Sequence, residues 1–189
     1  MEEKIIKQVE DISLAMIEDI KTIVRYPSVK SLASKDAPFG KDIAITLEET
    51  LKLAERLGFQ TKNLNHYIGW AQYGEGEDYI GVIGHLDVVE EGEGWKHPPF
   101  SGYEENGIIY SRGILDNKGP ILSCLYALYA LKLLQIELKK PVRIIFGCDE
   151  ESGFEDLEYY LHYEKPPVMG WTPDCKYPVV YGERGRAVI

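Results

Sequence analysis

Ile5, Val9, Ile12, Met16, Ile20 and Ile23/Val24 recur every three or four residues, the spacing of one helix face, and Pro27 ends the run. Ile43, Leu47, Leu51 and Ala54 repeat the period in a second helix that stops at Gly58. Between Phe59 and Gly74, with turn-prone Asn63 and Asn65, the pattern predicts two short antiparallel strands. Tyr79–Gly84 and Val142–Gly147 are continuous apolar runs of strand length, as expected of strands buried on both faces. A helix opened by Gly119-Pro120, with proline in its first turn, runs to Leu134 between them. A shorter helix is predicted over Glu155–Tyr163. The Gly- and Pro-rich stretch from Glu90 to about Gly107 reads as a loop, and strand-like segments lie near Val179-Val180 and at Arg186–Ile189.

This alternation predicts an α/β domain: a largely parallel mixed sheet with helices on both faces. His85 and Asp87 then fall just past the carboxyl end of one central strand, and Asp149-Glu150-Glu151 just past the end of another. Open α/β sheets place their sites at that edge. Two acidic clusters delivered to one cleft repel each other unless cations compensate them. The spacing therefore points to metal, with hard oxygen donors and an imidazole as ligands.

Composition narrows the field. The 189 residues suffice for one well-buried domain. A net charge of -10 argues against nucleic acid or an anionic membrane as partner. The longest apolar stretch, Ile121–Leu131, is interrupted by Ser123 and is shorter than the roughly 20 residues needed to span a bilayer. Cys124, Cys148 and Cys175 lack CxxC spacing, so neither disulfides nor a zinc knuckle is expected, and Cys148 and Cys175 read as packing residues. No basic-apolar leader follows Met1, and a reduced, cytoplasmic protein is expected. His66, His97 and His162 read as surface or loop histidines. Asp116, before Gly119-Pro120, could serve as a helix cap as well as a ligand.

Five stretches carry a resemblance. They are Gly84-His85-Leu86-Asp87-Val88-Val89, Gly94-Trp95-Lys96-His97-Pro98-Pro99-Phe100, Arg112 to Pro120 around Asp116, Asp149-Glu150-Glu151-Ser152-Gly153, and Trp171-Thr172-Pro173-Asp174. In this order and spacing the chain resembles the co-catalytic zinc metallopeptidases of carboxypeptidase G, acetylornithine deacetylase and aminoacylase. Within them it is most similar to the bacterial peptidase V and carnosinase-like Xaa-His dipeptidases.

The resemblance implies a three-layer zinc-peptidase-like fold and two divalent ions, Zn2+ foremost, with Mn2+ or Co2+ as alternatives. His85, Asp116 and Asp174 would bind the first ion, with Asp116 bridging to the second and Glu151 binding that second ion. Asp87 would hydrogen-bond the other imidazole nitrogen of His85. Glu150 would be the general base that takes a proton from water and passes it to the leaving amine. A cis peptide between Asp116 and Asn117 is also implied. Family members are more than twice this long, so the chain is expected to be the N-terminal part of a catalytic domain. The lid domain and the C-terminal segment with the second metal's histidine would then be missing, and the isolated chain is expected to be inactive.

Three functions stay open. A metallo-dipeptidase would cleave unblocked dipeptides, with a monomer as the expected full-length form. An N-acyl-amino-acid deacylase would turn over blocked substrates instead. A non-catalytic metal-binding fragment would do neither.

Overall fold

The structure, a computed structural model, describes residues 1–175 and 180. The strand expectations at Val179 and at 186–189 lie outside the described residues. Four helices are seen: α1 (Glu2–Ile23), α2 (Lys41–Arg56), α3 (Lys118–Leu133) and α4 (Glu155–Tyr163). Seven strands accompany them: β1 (Gln60–Leu64), β2 (Ile68–Tyr73), β3 (Ile80–His85), β4 (Tyr103–Glu105), β5 (Ile108–Tyr110), β6 (Val142–Gly147) and β7 (Met169–Trp171). The main sheet has the order β1-β2-β6-β3-β7. β1 with β2 and β2 with β6 are antiparallel, whereas β3 runs parallel to both β6 and β7. The parallel part is the one that carries the motifs.

Alternation along the strands sets the layers. Val82, Ile144 and Phe146 share one core with Ile20, Ile43, Leu47, Ile121 and Leu125, which places α1, α2 and α3 on that face. Ile145 points the other way, with Tyr79 and with Tyr160 of α4. α3 is apolar on nearly every side because it is sandwiched: it packs on β3 and β6 and is itself covered by α1. α1 reaches the sheet chiefly through α3.

The opposite face is locked by Arg143. Its guanidinium lies 4.1 Å from the ring centroids of both Trp70 and Tyr79. It donates to Gln72 Oε1 (2.9 Å), the Tyr160 hydroxyl (2.7 Å) and Glu164 Oε2 (2.8 Å). Lys62 donates to the other oxygen of Glu164 at 2.7 Å.

Two elements depart from the sequence reading. The stretch expected as loop contains β4 and the turn of the β4–β5 hairpin, Asn106-Gly107, both at positive φ (54° and 77°). That dipeptide is the standard two-residue hairpin turn. β7 is a fully exposed three-residue strand whose extended state comes from its pairing with β3. Among the described residues no helix is long and apolar enough to cross a membrane.

Candidate metal centre

The parallel register of β3 and β6 sets His85 opposite Gly147, so the two motif loops leave the sheet side by side. The Leu86 N–H donates to the Gly147 carbonyl (2.8 Å), extending the pairing one step beyond the strands. Gly84 has no room for a side chain: a Cβ there would collide with the Asn117 amide oxygen and with Ile121. That oxygen accepts the His85 backbone N–H at 3.2 Å, fixing the base of the histidine against the start of α3. The Asp116–Asn117 peptide is cis, as the resemblance implies. α3 takes Asn117 as its N-cap residue, so the capping role considered for Asp116 is not seen.

His85 is buried and stands at the middle of the acids. Its Nδ1–H donates to the Asp87 backbone carbonyl at 2.8 Å. The Asp87 carboxylate, expected to hold that nitrogen, is 3.5 Å from it and is occupied otherwise. Oδ1 accepts the Glu150 N–H (3.2 Å) and Oδ2 the Glu151 N–H (3.1 Å). The imidazole is thus oriented by the Asp87 main chain with the carboxylate in ion-pair range, and that carboxylate also clamps the second acidic loop.

His85 Nε2 faces outward, 3.0 Å from Asp116 Oδ1, 3.3 Å from Asp174 Oδ2 and 3.9 Å from Glu150 Oε2. Ligand atoms at about 2.1 Å from a tetrahedral ion stand about 3.4 Å apart. His85, Asp116 and Asp174 meet that spacing well enough to hold a cation, and they are the set expected for the first ion. Glu150 and Glu151 form a second possible group, again with His85. No third His, Cys, Asp or Glu among the described residues joins Asp116 and Glu151, the pair expected at the second ion. His66 pairs with Glu48 (2.9 Å), His97 stacks on Tyr103 (3.6 Å between centroids), and His162 Nδ1 bonds the Glu158 carbonyl (2.7 Å). The described histidines therefore supply one imidazole to the centre.

The electrostatics fit a cation. Burial raises the pKa of Glu150, and the charges of Asp174, Glu151 and Asp87 raise it further against the pull of His85. Burial likewise raises Glu151, with Asp116 next, and Asp174, where the charge of Asp116 adds and His85 opposes. Burial disfavours the charged form of His85, but Asp87 and then Asp174 outweigh it and raise the imidazole to about 9. The same acids that favour a charged imidazole would favour a divalent cation at Nε2. Lys118 is fully buried, its Nζ donating to the Tyr26 carbonyl at 2.7 Å. Burial lowers its pKa to about 7 although the charge of Asp87 resists.

Beside His85, Glu150 and Asp174 opens a cavity of about 600 Å3, bordered by Phe154, Leu157 and Trp171. A groove of similar size between Ser31 and His66 holds no comparable cluster. One supporting residue lies in no motif. Asp156 is buried and accepts the Cys148 and Asp149 N–H groups (2.7 and 3.2 Å), and a Cβ on Gly147 would sit 2.8 Å from it. Cys148 is buried as expected, its thiol pKa pushed well up by burial, whereas Cys175 is exposed, which corrects its reading as a packing residue.

The model of peptidase family M20/M25/M40 matches residues 81–187. YtjP of Bacillus subtilis (strain 168), provisionally named a dipeptidase, is 41% identical over 186 residues, 97% of this chain and 39% of that protein. The Beta-Ala-Xaa dipeptidase of Lactobacillus delbrueckii subsp. lactis is 36% identical over 174 residues, 90% of this chain and 37% of that one. The crystal structure of human carnosine dipeptidase 1 superposes with a TM-score of 0.73 at 21% identity, covering 91% of this chain and 40% of its own, a likeness of fold. The chain thus spans about two fifths of the length of these relatives. With the match running over more than half of its length and through every acidic motif, the chain belongs to peptidase family M20/M25/M40.

Proposed function

We propose that the protein of which these residues form a part is a metal-dependent dipeptidase acting on unblocked dipeptides. The observation that carries the reading is the convergence of Asp116, Glu150 and Asp174 on one outward-facing imidazole nitrogen, at the carboxyl end of two parallel strands. Dipeptidase-named relatives at 41% and 36% identity support the substrate class. The 189 residues would be the N-terminal part of the catalytic domain. A lid domain and a further imidazole for the second ion would come from elsewhere in the longer protein.

His85, Asp116 and Asp174 would hold one divalent ion, and Asp116 with Glu151 a second, Zn2+ being the first candidate. Bound there, such ions would polarise the scissile carbonyl and acidify water. Glu150 takes the proton of the attacking water and returns it to the leaving amine. Its carboxylate stands 3.9 Å from His85 Nε2, beside the proposed ligands and within reach of a water at the centre, as a general base requires. Asp87 holds the backbone of Glu150 and Glu151, and the main-chain carbonyl of Asp87 fixes the His85 tautomer that leaves Nε2 free for coordination.

A panel of free and N-acetylated dipeptides, run on the full-length protein with metal analysis of the same sample, tests the reading. Turnover of the free dipeptides with bound divalent metal is expected. Turnover confined to the acetylated set would transfer the site to N-acyl-amino-acid deacylation, and a metal-free sample inert to both would reject it.

A further inference from the structure

We infer that Lys30 is a positioning residue for the Glu150–Glu151 loop, reaching it through Asp149. Asp149 is fully buried and is the hub of that loop. Its backbone carbonyl accepts the N–H groups of Ser152 (3.3 Å), Gly153 (3.0 Å) and Phe154 (2.9 Å). Its Oδ2 accepts the Glu155 N–H at 3.2 Å, closing the turn onto α4. The remaining oxygen, Oδ1, takes the Lys30 ammonium at 2.6 Å. Among the described residues, Lys30 is the one Lys or Arg paired with any acid of the Asp149–Glu151 run.

A carboxylate with no exposed surface is costly to keep ionised without a counter-charge. Losing the ammonium leaves Asp149 Oδ1 without its partner, and movement of that carboxylate toward water loosens the turn that aims Glu150. The lysine is itself held in place. Its Nζ lies 5.2 Å from the Phe39 ring centroid, and the segment that carries it is pinned to the other motif loop. Ser28 Oγ donates to the Leu86 carbonyl (2.6 Å), Val88 N–H donates to the Ser28 carbonyl (3.0 Å), and Val29 bridges Val88 in parallel. The Ser28–Lys30 strap therefore grips the His85–Val88 loop with main chain and the Asp149–Glu151 loop with one ammonium.

The inference rests on the proposed roles of Glu150 and Glu151, so the test has a readout that needs neither metal nor turnover. Hydrogen exchange of the full chain, followed by mass spectrometry over residues 149–155, is expected to accelerate about tenfold or more in Lys30→Met. Lys30→Arg should return it toward wild type, and Lys52→Met, removing a surface lysine paired with Glu49, should leave it unchanged. In the full-length enzyme, Lys30→Met should lower kcat about 10- to 100-fold, KM staying within about twofold. Adding Lys30→Met to Asp149→Asn should cost nothing further. Unchanged exchange in Lys30→Met, a failure of arginine to rescue, or additive losses in the double variant would overturn the inference. A wild-type protein without metal or turnover would reject the proposed function while leaving the exchange result to decide the role of Lys30.

Discussion

The carboxylate of Asp87 accepts the backbone N–H of Glu150 at 3.2 Å, although the residues are 63 positions apart. Its second oxygen takes the Glu151 N–H at 3.1 Å. An ionised carboxylate can satisfy two such donors at once; an amide offers one acceptor and turns an N–H toward the other donor. Asp87→Asn is therefore expected to cost about 10- to 100-fold in metal affinity or kcat. Metal titration and steady-state kinetics on the same preparation check this, and wild-type values in both would remove the clamp from the account.

Glu150→Gln should separate chemistry from metal binding. The side chain keeps its shape but cannot accept a proton. Metal content is expected to stay near wild type while kcat falls roughly 10²- to 10⁴-fold. Equal loss of metal and activity, read by elemental analysis alongside turnover, would make Glu150 a ligand and pass the base role to Glu151.

His85 belongs to both possible metal groups among the described residues. His85→Ala is accordingly expected to abolish tight binding altogether rather than to halve the stoichiometry. The unaltered 189-residue chain should bind one Zn2+ tightly in calorimetric titration. Two tight ions on the chain alone would mean that a second imidazole or an equivalent donor is present.

Glu164 gives a dependence on pH. Burial alone would raise its pKa, but Lys62 and Arg143 more than offset that and hold it below the ordinary carboxylate value. With the folded value below the unfolded one, its stabilisation is present above the unfolded pKa of about 4.3 and is lost as pH falls through the folded value. Glu164→Gln should lower the melting temperature at pH 7, and the gap from wild type should close toward pH 3. An equal gap at both values would trace the effect to packing.

Arg143→Met should be worse at neutral pH. It strips the half-buried Glu164, Gln72 and Tyr160 of their shared donor. A cost of about 2–3 kcal/mol is expected, since Gln72 and Tyr160 lose a charged donor in a buried site while Lys62 still pairs with Glu164. Denaturant unfolding at pH 7 measures it.

Much of this could be read from the chain because the central strands carry their own signal. Tyr79–Gly84 and Val142–Gly147 are apolar on both faces, and that fixes where His85 and Asp149 leave the sheet. The β4–β5 hairpin was legible too, in Asn106-Gly107 between two aromatic-flanked triplets, but the surrounding glycines and prolines outweighed it. β7 was not, since three exposed residues acquire strand geometry only from a neighbour. In the site, the acids announced themselves by spacing. The role of the Asp87 side chain did not, because an H-x-D pattern is compatible with a bond to the ring and with a bond to a distant loop. Lys30 and Asp156 lie in no motif, and a lone lysine or a helix-start aspartate is ordinary until its partner is known.

The stacking of α1 on α3 has a consequence for how the protein is made. α1 is made ahead of the helix that covers its apolar side, which ends at Leu133, some 110 residues later. At about 5–20 residues per second, Ile20, Ile23 and Val24 wait about 5–20 s for their partner. During that interval α1 is an amphipathic segment uncovered on its α3 side. Such a segment is what a holding chaperone binds, and substitutions that weaken its apolar stripe should reduce that capture before they alter the finished fold.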